Sequence, residues 1–426
     1  MSQSEGTSRR RLLGNISSLY FLQGLNYLIP MAVLPYLVRV LGMEIYGLMA
    51  FAQSFAQYFN ILTDYGFNYS ATRFIAKNHD DSVATSRMFC CVFLIKFVLT
   101  ALGAVVLAAV LLLVPRFRQD SAFFLIGYLA VLGNVLFPVW YFQGVQKMRY
   151  ISILTGAAKV SSAVLLFVFV RGPKDALLAI TIQSAGMVVA GLAGLWVSLR
   201  GIRFQIQLPL WVEIKSTLTG GWHLFISTAG VSLYSNTNVF LVGMLSGNVQ
   251  AGYFSVAEKL IRAMAGLVAP VSQAMFPHVS SLAEDSSEIA LKFIFRALKW
   301  LGGLTIILSL ILFLFARPIA LLCFGHGAIG SIPIIRWIAL LPFLITMNTT
   351  LGVQTMVTLG LDKQFSRIMI LAGIANAVLA IPLILAFAAQ GAGACVLVTE
   401  TTIVVIMVLV LRQNGVNFFS AALKTA

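Results

Sequence analysis

Apolar runs of roughly 17 to 25 residues recur from one end of the chain to the other, each the length a helix needs to cross a bilayer core of about 30 Å. Few folds accommodate such a pattern. Lipid satisfies no backbone N–H or C=O, so a crossing segment must close its own hydrogen bonds as a helix or join a closed barrel. Barrel strands read as about ten alternating residues, not as continuous apolar runs. The composition agrees, with 59% of residues hydrophobic and 10% charged, against roughly 25% charged in soluble domains. We therefore expect an all-α integral membrane protein. Twelve spans fit, at 15–38, 45–65, 88–114, 122–142, 151–170, 176–199, 222–245, 251–276, 300–316, 337–359, 368–389 and 391–411. No soluble domain of useful size fits between them.

The basic residues orient these spans. Eighteen Lys and Arg fall on one side, seven on the other and four inside spans. The positive-inside rule makes the richer side cytoplasmic, and an even span count then puts both termini there. The N-terminal residues, MSQSEGTSRRRLLGNISS, lack a small-residue cleavage site after a short apolar core, so they read as an uncleaved cytoplasmic end. The formal charge of +15 is dispersed among short loops with no basic arm or stripe, which argues against nucleic acid and for anionic lipid headgroups.

Span 2 carries the most unusual pattern. At about 100° per residue, Gln53, Gln57, Asn60 and Asp64 fall within roughly 60° of arc. The polar stripe they form must face protein or water, because an unsatisfied polar group in lipid is costly. Asp64 reads either as an interfacial carboxylate paired with a nearby base or as a protonatable coupling group. Glu400 in span 12 presents the same choice.

Span 8 holds Glu258, Lys259 and Arg262 within five residues. Glu258 and Arg262 are four apart and can pair on one helix face, which leaves one positive charge over. Lys96 in span 3 and Lys159 in span 5 lie about eight residues inside their spans, deep enough to strain snorkelling. Asn26, Asn236, Asn238 and Asn348 serve either as interhelical hydrogen bonds or as contacts for sugar hydroxyls.

The two halves look repeated. A shift of 205 places Gly42 on Gly247, Gly47 on Gly252 and Ala52 on Ala257, pairing span 2 with span 8. Gly144-Val-Gln-Lys147 resembles Gly360-Leu-Asp-Lys363 at a shift of 216. Two six-helix halves, 1–205 and 206–426, of equal orientation follow.

Several chemistries find no support. There is no GxxxxGK[ST] motif for ATP. The cysteines Cys90, Cys91, Cys323 and Cys395 and the four histidines make no metal-ligand spacing, so neither metal nor cofactor is expected. The external loops are short, which disfavours a membrane glycosyltransferase or polymerase.

The segment LPYLVRVLGMEIYGLMAFAQSFAQYFNILTDYGFNYSATRFIA, 34–76, resembles the N-terminal signature of bacterial polysaccharide flippases, the Wzx-type O-antigen transporters. WYFQGVQKMRY, 140–150, resembles that family's aromatic-Gln-Gly element after span 4. The resemblance implies the multidrug/oligosaccharidyl-lipid/polysaccharide exporter fold, two six-helix bundles around a central cavity. It implies export of undecaprenyl-diphosphate-linked oligosaccharide repeat units across the inner membrane by alternating access, with H⁺ or Na⁺ as coupling ion and a polysaccharide polymerase as a candidate protein partner. On that reading Arg262, Lys259, Arg39, Lys96 and Lys159 are candidates for the diphosphate or acidic sugars. Gln53, Gln57, Asn60, Asn26, Asn236 and Asn238 are candidates for sugar contact, with aromatic faces such as Tyr58 and Tyr65. Asp64, Glu258 and Glu400 are candidates for ion coupling. A drug/cation antiporter of the same superfamily is the nearest rival, although acidic residues are scarce inside the spans.

Overall fold

The computed structural model describes residues 28–78, 81–202, 209–268 and 286–416, with isolated positions 24, 271–272, 275, 279 and 282–283. Asn26 lies outside them. All regular structure among the described residues is helical, the outcome that backbone satisfaction in lipid demands. The chain divides into two compact units, Met1–Ser232 and Leu233–Ala426.

The first unit contains α1 (Leu28–Leu41), α2 (Met43–Asp64), α3 (Phe67–Lys77), α4 (Ser82–Leu113), α5 (Pro115–Gln119), α6 (Ser121–Leu136), α7 (Val139–Gly144), α8 (Met148–Phe169) and α9 (Ala176–Ile202). The long α10 (Trp211–Ser246) crosses the unit boundary. It begins eleven residues before the expected start at 222, because Trp211 to Gly221 extends the span as helix and Glu213 caps it by accepting from Leu210 N at 2.9 Å. The second unit adds α11 (Asn248–Gly266), α12 (Ser287–Leu314), α13 (Ala316–Phe324), α14 (Ser331–Ile338), α15 (Leu341–Asn348), a π-helical segment (Thr349–Val357) and α16 (Asp362–Gln413).

Seven stretches among the described residues are long and apolar enough to cross a membrane: Ser82–Leu113, Ser121–Gly144, Met148–Phe169, Pro173–Gly201, Glu288–Leu314, Ser331–Val357 and Asp362–Gln413. The last is double length, with 52 residues broken at Ala388, where spans 11 and 12 were expected to meet. Helices α2 and α11, of 22 and 19 residues, fall outside this group because their amides and charges lower the hydropathy.

Backbone geometry is alike at two places that the expected repeat would pair. Gly42 (φ 82°, ψ 164°) precedes α2 and Gly247 (φ 94°, ψ 173°) precedes α11 in nearly the same conformation, one that L side chains rarely adopt. The equivalence after spans 4 and 10 is offset from the sequence expectation. Gln146 (φ 57°) and Gly360 (φ 77°) occupy the left-handed position, and the next residues, Lys147 and Leu361, each donate to a carbonyl five residues back at 2.8 Å, Phe142 and Met356 respectively. That sets the local shift at 214, two residues from the 216 read from the glycines.

An aromatic core at the expected cytoplasmic end of the first unit holds α3, α4 and α7 together through Phe67, Ile75, Phe89, Phe93, Trp140 and Phe142. Lipid offers no hydrophobic drive between helices, so dense van der Waals contact of this kind holds them. This core fixes the short α7 against α3.

Candidate functional site

The first unit puts a polar cleft at the end of α2. The helix stops at Tyr65, in left-handed conformation (φ 41°), and Gly66 (φ 75°) turns the chain into α3. A Cβ on Gly66 would meet Leu224 Cβ at 3.0 Å and Phe225 N at 3.1 Å, so this turn presses against α10 and requires glycine. Tyr65 stacks on Phe225 with centroids 4.8 Å apart and 11° between planes. One face of its ring is therefore engaged by protein.

The stripe on α2 divides in two. Gln53 Nε2 donates to Gln183 Oε1 of α9 at 2.9 Å, and Asn134 Nδ2 of α6 donates to Asn60 Oδ1 at 2.9 Å. These amides tie helices together, the commoner use of amides in a bundle. Gln57 and Asp64 instead line a cavity of about 340 Å³ with Ile61, Gly66, Asn68, Tyr69, Val139 and Gln143. Lys96 is buried behind it and donates to Asp64 Oδ1 at 3.1 Å; the Lys96 side chain is 2% exposed and that of Asp64 44%. Asp64 thus has a base partner, supplied by α4.

The second unit encloses a chamber of about 270 Å³ whose lining includes Asn238, Glu258, Arg262, Asn348 and Glu400. The expected i,i+4 pair is present, with Arg262 Nη2 and Nε both donating to Glu258 Oε1, at 2.7 and 3.1 Å. Glu400, 8% exposed, accepts from Asn348 Nδ2. Asn348 is the last α-helical residue before the π segment, a local widening that recurs at functional sites. Asn238 Nδ2 donates to Asn376 Oδ1 at 3.2 Å, and Asn376 Nδ2 donates to Thr399 Oγ1 at 3.1 Å. The carbonyl oxygens of Asn238 and Asn348 are buried without a hydrogen-bond partner, and each such orphan costs about 1–3 kcal/mol. The chamber thus sets one carboxylate paired with Arg262 and one accepting from Asn348 beside two open amide oxygens.

The five candidate cations are divided between the two units. Arg262 and Lys259 belong to the second unit, and Lys96, Lys159 and Arg39 to the first. Arg262 is matched by Glu258 and Lys96 by Asp64. Arg39 is exposed on α1, while Lys159 and Lys259 are half-buried. Asn236 is half-buried on α10. Sequence reasoning missed Asn134, Gln183 and Asn376, whose signal was a lone amide in an apolar run. It also missed Asn68, Tyr69 and Gln143, of which Gln143 sits in the aromatic-Gln-Gly element.

Seven long apolar helices among the described residues mark a multi-pass membrane protein. The chain belongs to the polysaccharide biosynthesis protein family, whose description matches residues 12–283. It is 34% identical over 412 residues to an Escherichia coli (strain K12) protein named "Putative O-antigen transporter", covering 96% of this chain and 98% of that one. Two solved structures share its fold. An inward-facing multidrug resistance MATE family transporter of the MOP superfamily superposes with TM-score 0.69 at 14% identity, over 97% of this chain and 100% of that one. The lipid II flippase MurJ in an inward closed conformation superposes with TM-score 0.68 at 13% identity, over 94% and 87%.

Proposed function

We propose that this protein flips undecaprenyl-diphosphate-linked oligosaccharide repeat units across the bacterial inner membrane by alternating access of two six-helix halves, drawing on an H⁺ or Na⁺ gradient through Glu400. The physical problem is specific. The glycan head is too polar to cross hydrocarbon unaided, whereas the polyprenyl tail stays in lipid, so the protein must offer polar surface inside an apolar shell. The observation that carries the reading is the charged chamber of the second unit, where Glu258, Arg262, Asn348 and Glu400 meet inside apolar helices. Arg262, half exposed although paired, is positioned to exchange its carboxylate for a substrate phosphate by charge-assisted hydrogen bonds. The relative named an O-antigen transporter and the flippase fold of MurJ support the same substrate class.

Replacing Arg262 by Ala in a strain lacking the chromosomal copy should abolish surface polysaccharide while membrane protein level stays normal; full export would remove Arg262 from the mechanism. Glu400→Gln in vesicles should flip at a rate insensitive to an imposed pH or Na⁺ gradient. Gradient dependence equal to wild type would exclude Glu400 as the coupling group. Efflux of cationic dyes in place of glycan export would favour the antiporter reading.

A further inference from the structure

We infer that the cleft between α2, α3 and α7 is a saccharide subsite that receives an uncharged sugar ring of the repeat unit, with Tyr69 as the platform and Gln57, Asn68 and Gln143 as the readers of its hydroxyls. The inference rests on the flippase reading and specifies which part of the substrate this site takes.

A pyranose presents two surfaces, a rim of hydroxyls that both donate and accept and a face of C–H groups. The cleft offers a counterpart to each. Tyr69 is 60% exposed beside the polar cavity, and its π face suits the C–H face of a sugar. Around it the amides retain unused capacity. Gln57 Oε1 accepts from Asn60 at 3.1 Å, which leaves its NH₂ group for a ligand, and the Gln143 amide, whose polar contact is Thr72 Oγ1 at 3.3 Å, keeps donor capacity to spare. Asn68 makes no side-chain hydrogen bond among the described residues. The stripe residues Gln53 and Asn60 show what amides with a purely structural role look like, bonded to neighbouring helices. Those in the cleft are held in place at one end and open at the other.

Charge decides which sugar. Among the described residues no Lys or Arg lines the cleft, and its carboxylate, Asp64, is offset by buried Lys96. A neutral, amide-rich cleft of about 340 Å³ has no attraction for a diphosphate or a uronate, and its size is at the lower end of the roughly 300–1,000 Å³ of small-molecule sites. Asp64 keeps its second oxygen as an acceptor for a hydroxyl. Sites that hydrogen-bond hydroxyls reject analogues lacking them, so this cleft would contribute sugar selectivity, separate from the diphosphate chemistry of Arg262.

Saturation-transfer NMR on the full chain in nanodiscs tests this. The probes are the methyl pyranosides of glucose, galactose, mannose and N-acetylglucosamine, methyl glucuronide, and inorganic diphosphate. At least one neutral pyranoside should show transfer to its ring C–H protons. Tyr69→Ala should cut that transfer at least fivefold, Tyr69→Phe should keep more than half, and Gln143→Leu should weaken binding several-fold, each with an unchanged melting temperature. Silence from every neutral pyranoside, transfer indifferent to Tyr69→Ala, or displacement by diphosphate or glucuronide would overturn the assignment. Flipping of the lipid-linked unit by the wild type, measured in parallel, separates the two readings. Flipping without saccharide contact sinks the subsite alone; saccharide contact without flipping sinks the transport reading alone.

Discussion

The Lys96–Asp64 pair makes an asymmetric prediction. Removing one member of a fully buried ion pair costs about 3–5 kcal/mol because the survivor is left charged in a poor solvent, whereas exposed pairs contribute about 0–1 kcal/mol. Here the two ends differ, with the Lys96 side chain 2% exposed and that of Asp64 44% exposed. Asp64→Asn strands a buried ammonium and should cost about 2–3 kcal/mol, between those limits and nearer the buried one. Lys96→Met frees a carboxylate that already reaches water and replaces the buried cation by an apolar chain of similar length, so it should cost less than about 1 kcal/mol. The double variant should return to within about 1 kcal/mol of wild type, since no uncompensated buried charge remains. Graded SDS unfolding in mixed micelles yields all three values. Equal costs for the two single variants, or single costs that simply add in the double, would refute the claim that Lys96 depends on Asp64.

Other positions give sharper local tests. Gly66→Ala places a side chain at φ 75° against Leu224 and Phe225 and should destabilise by at least about 1–2 kcal/mol, read in the same unfolding series. Ala388 sits at φ 51°, ψ −134° in the turn inside α16; Ala388→Gly should raise the melting temperature, gaining about 1 kcal/mol by relieving strain. Gly391→Ala, whose Cβ would overlap the Leu383 carbonyl, should do the reverse and lower the folded yield. Asn376→Leu removes the partner of both Asn238 and Thr399 and should cost about 1–2 kcal/mol, with a matching loss of melting temperature.

Local periodicity carried much of this architecture. The apolar runs announced the helices, the four-residue spacing announced the Glu258–Arg262 pair, and the expected join of spans 11 and 12 fell beside the break at Ala388. Gly42 and Gly247 stood out in the sequence because a positive φ leaves its trace in the residue type. Partners distant in sequence were another matter. Nothing near Asp64 indicates Lys96, 32 residues away. The stripe on α2 was visible as a stripe, but whether each amide met a helix or a cavity depended on α6 and α9 approaching Asn60 and Gln53. Tyr69 and Gln143 come from two short helices held together by the aromatic core, an adjacency that no single window of sequence contains. The early start of α10 and the π segment were also hidden, because both satisfy the same apolar pattern as ordinary α-helix.

The central claim is that the chain carries a lipid-linked glycan across a bilayer. Its most direct test places the purified protein in liposomes whose undecaprenyl-diphosphate-linked repeat units are distributed over both leaflets, with an added glycosidase reporting those exposed outside. Protein-free liposomes should stop near one half digested, and liposomes with the wild-type chain should proceed to near completion, with Arg262→Ala at the protein-free level. Digestion that halts near one half with the folded wild-type protein present, under imposed H⁺ and Na⁺ gradients alike, would contradict it.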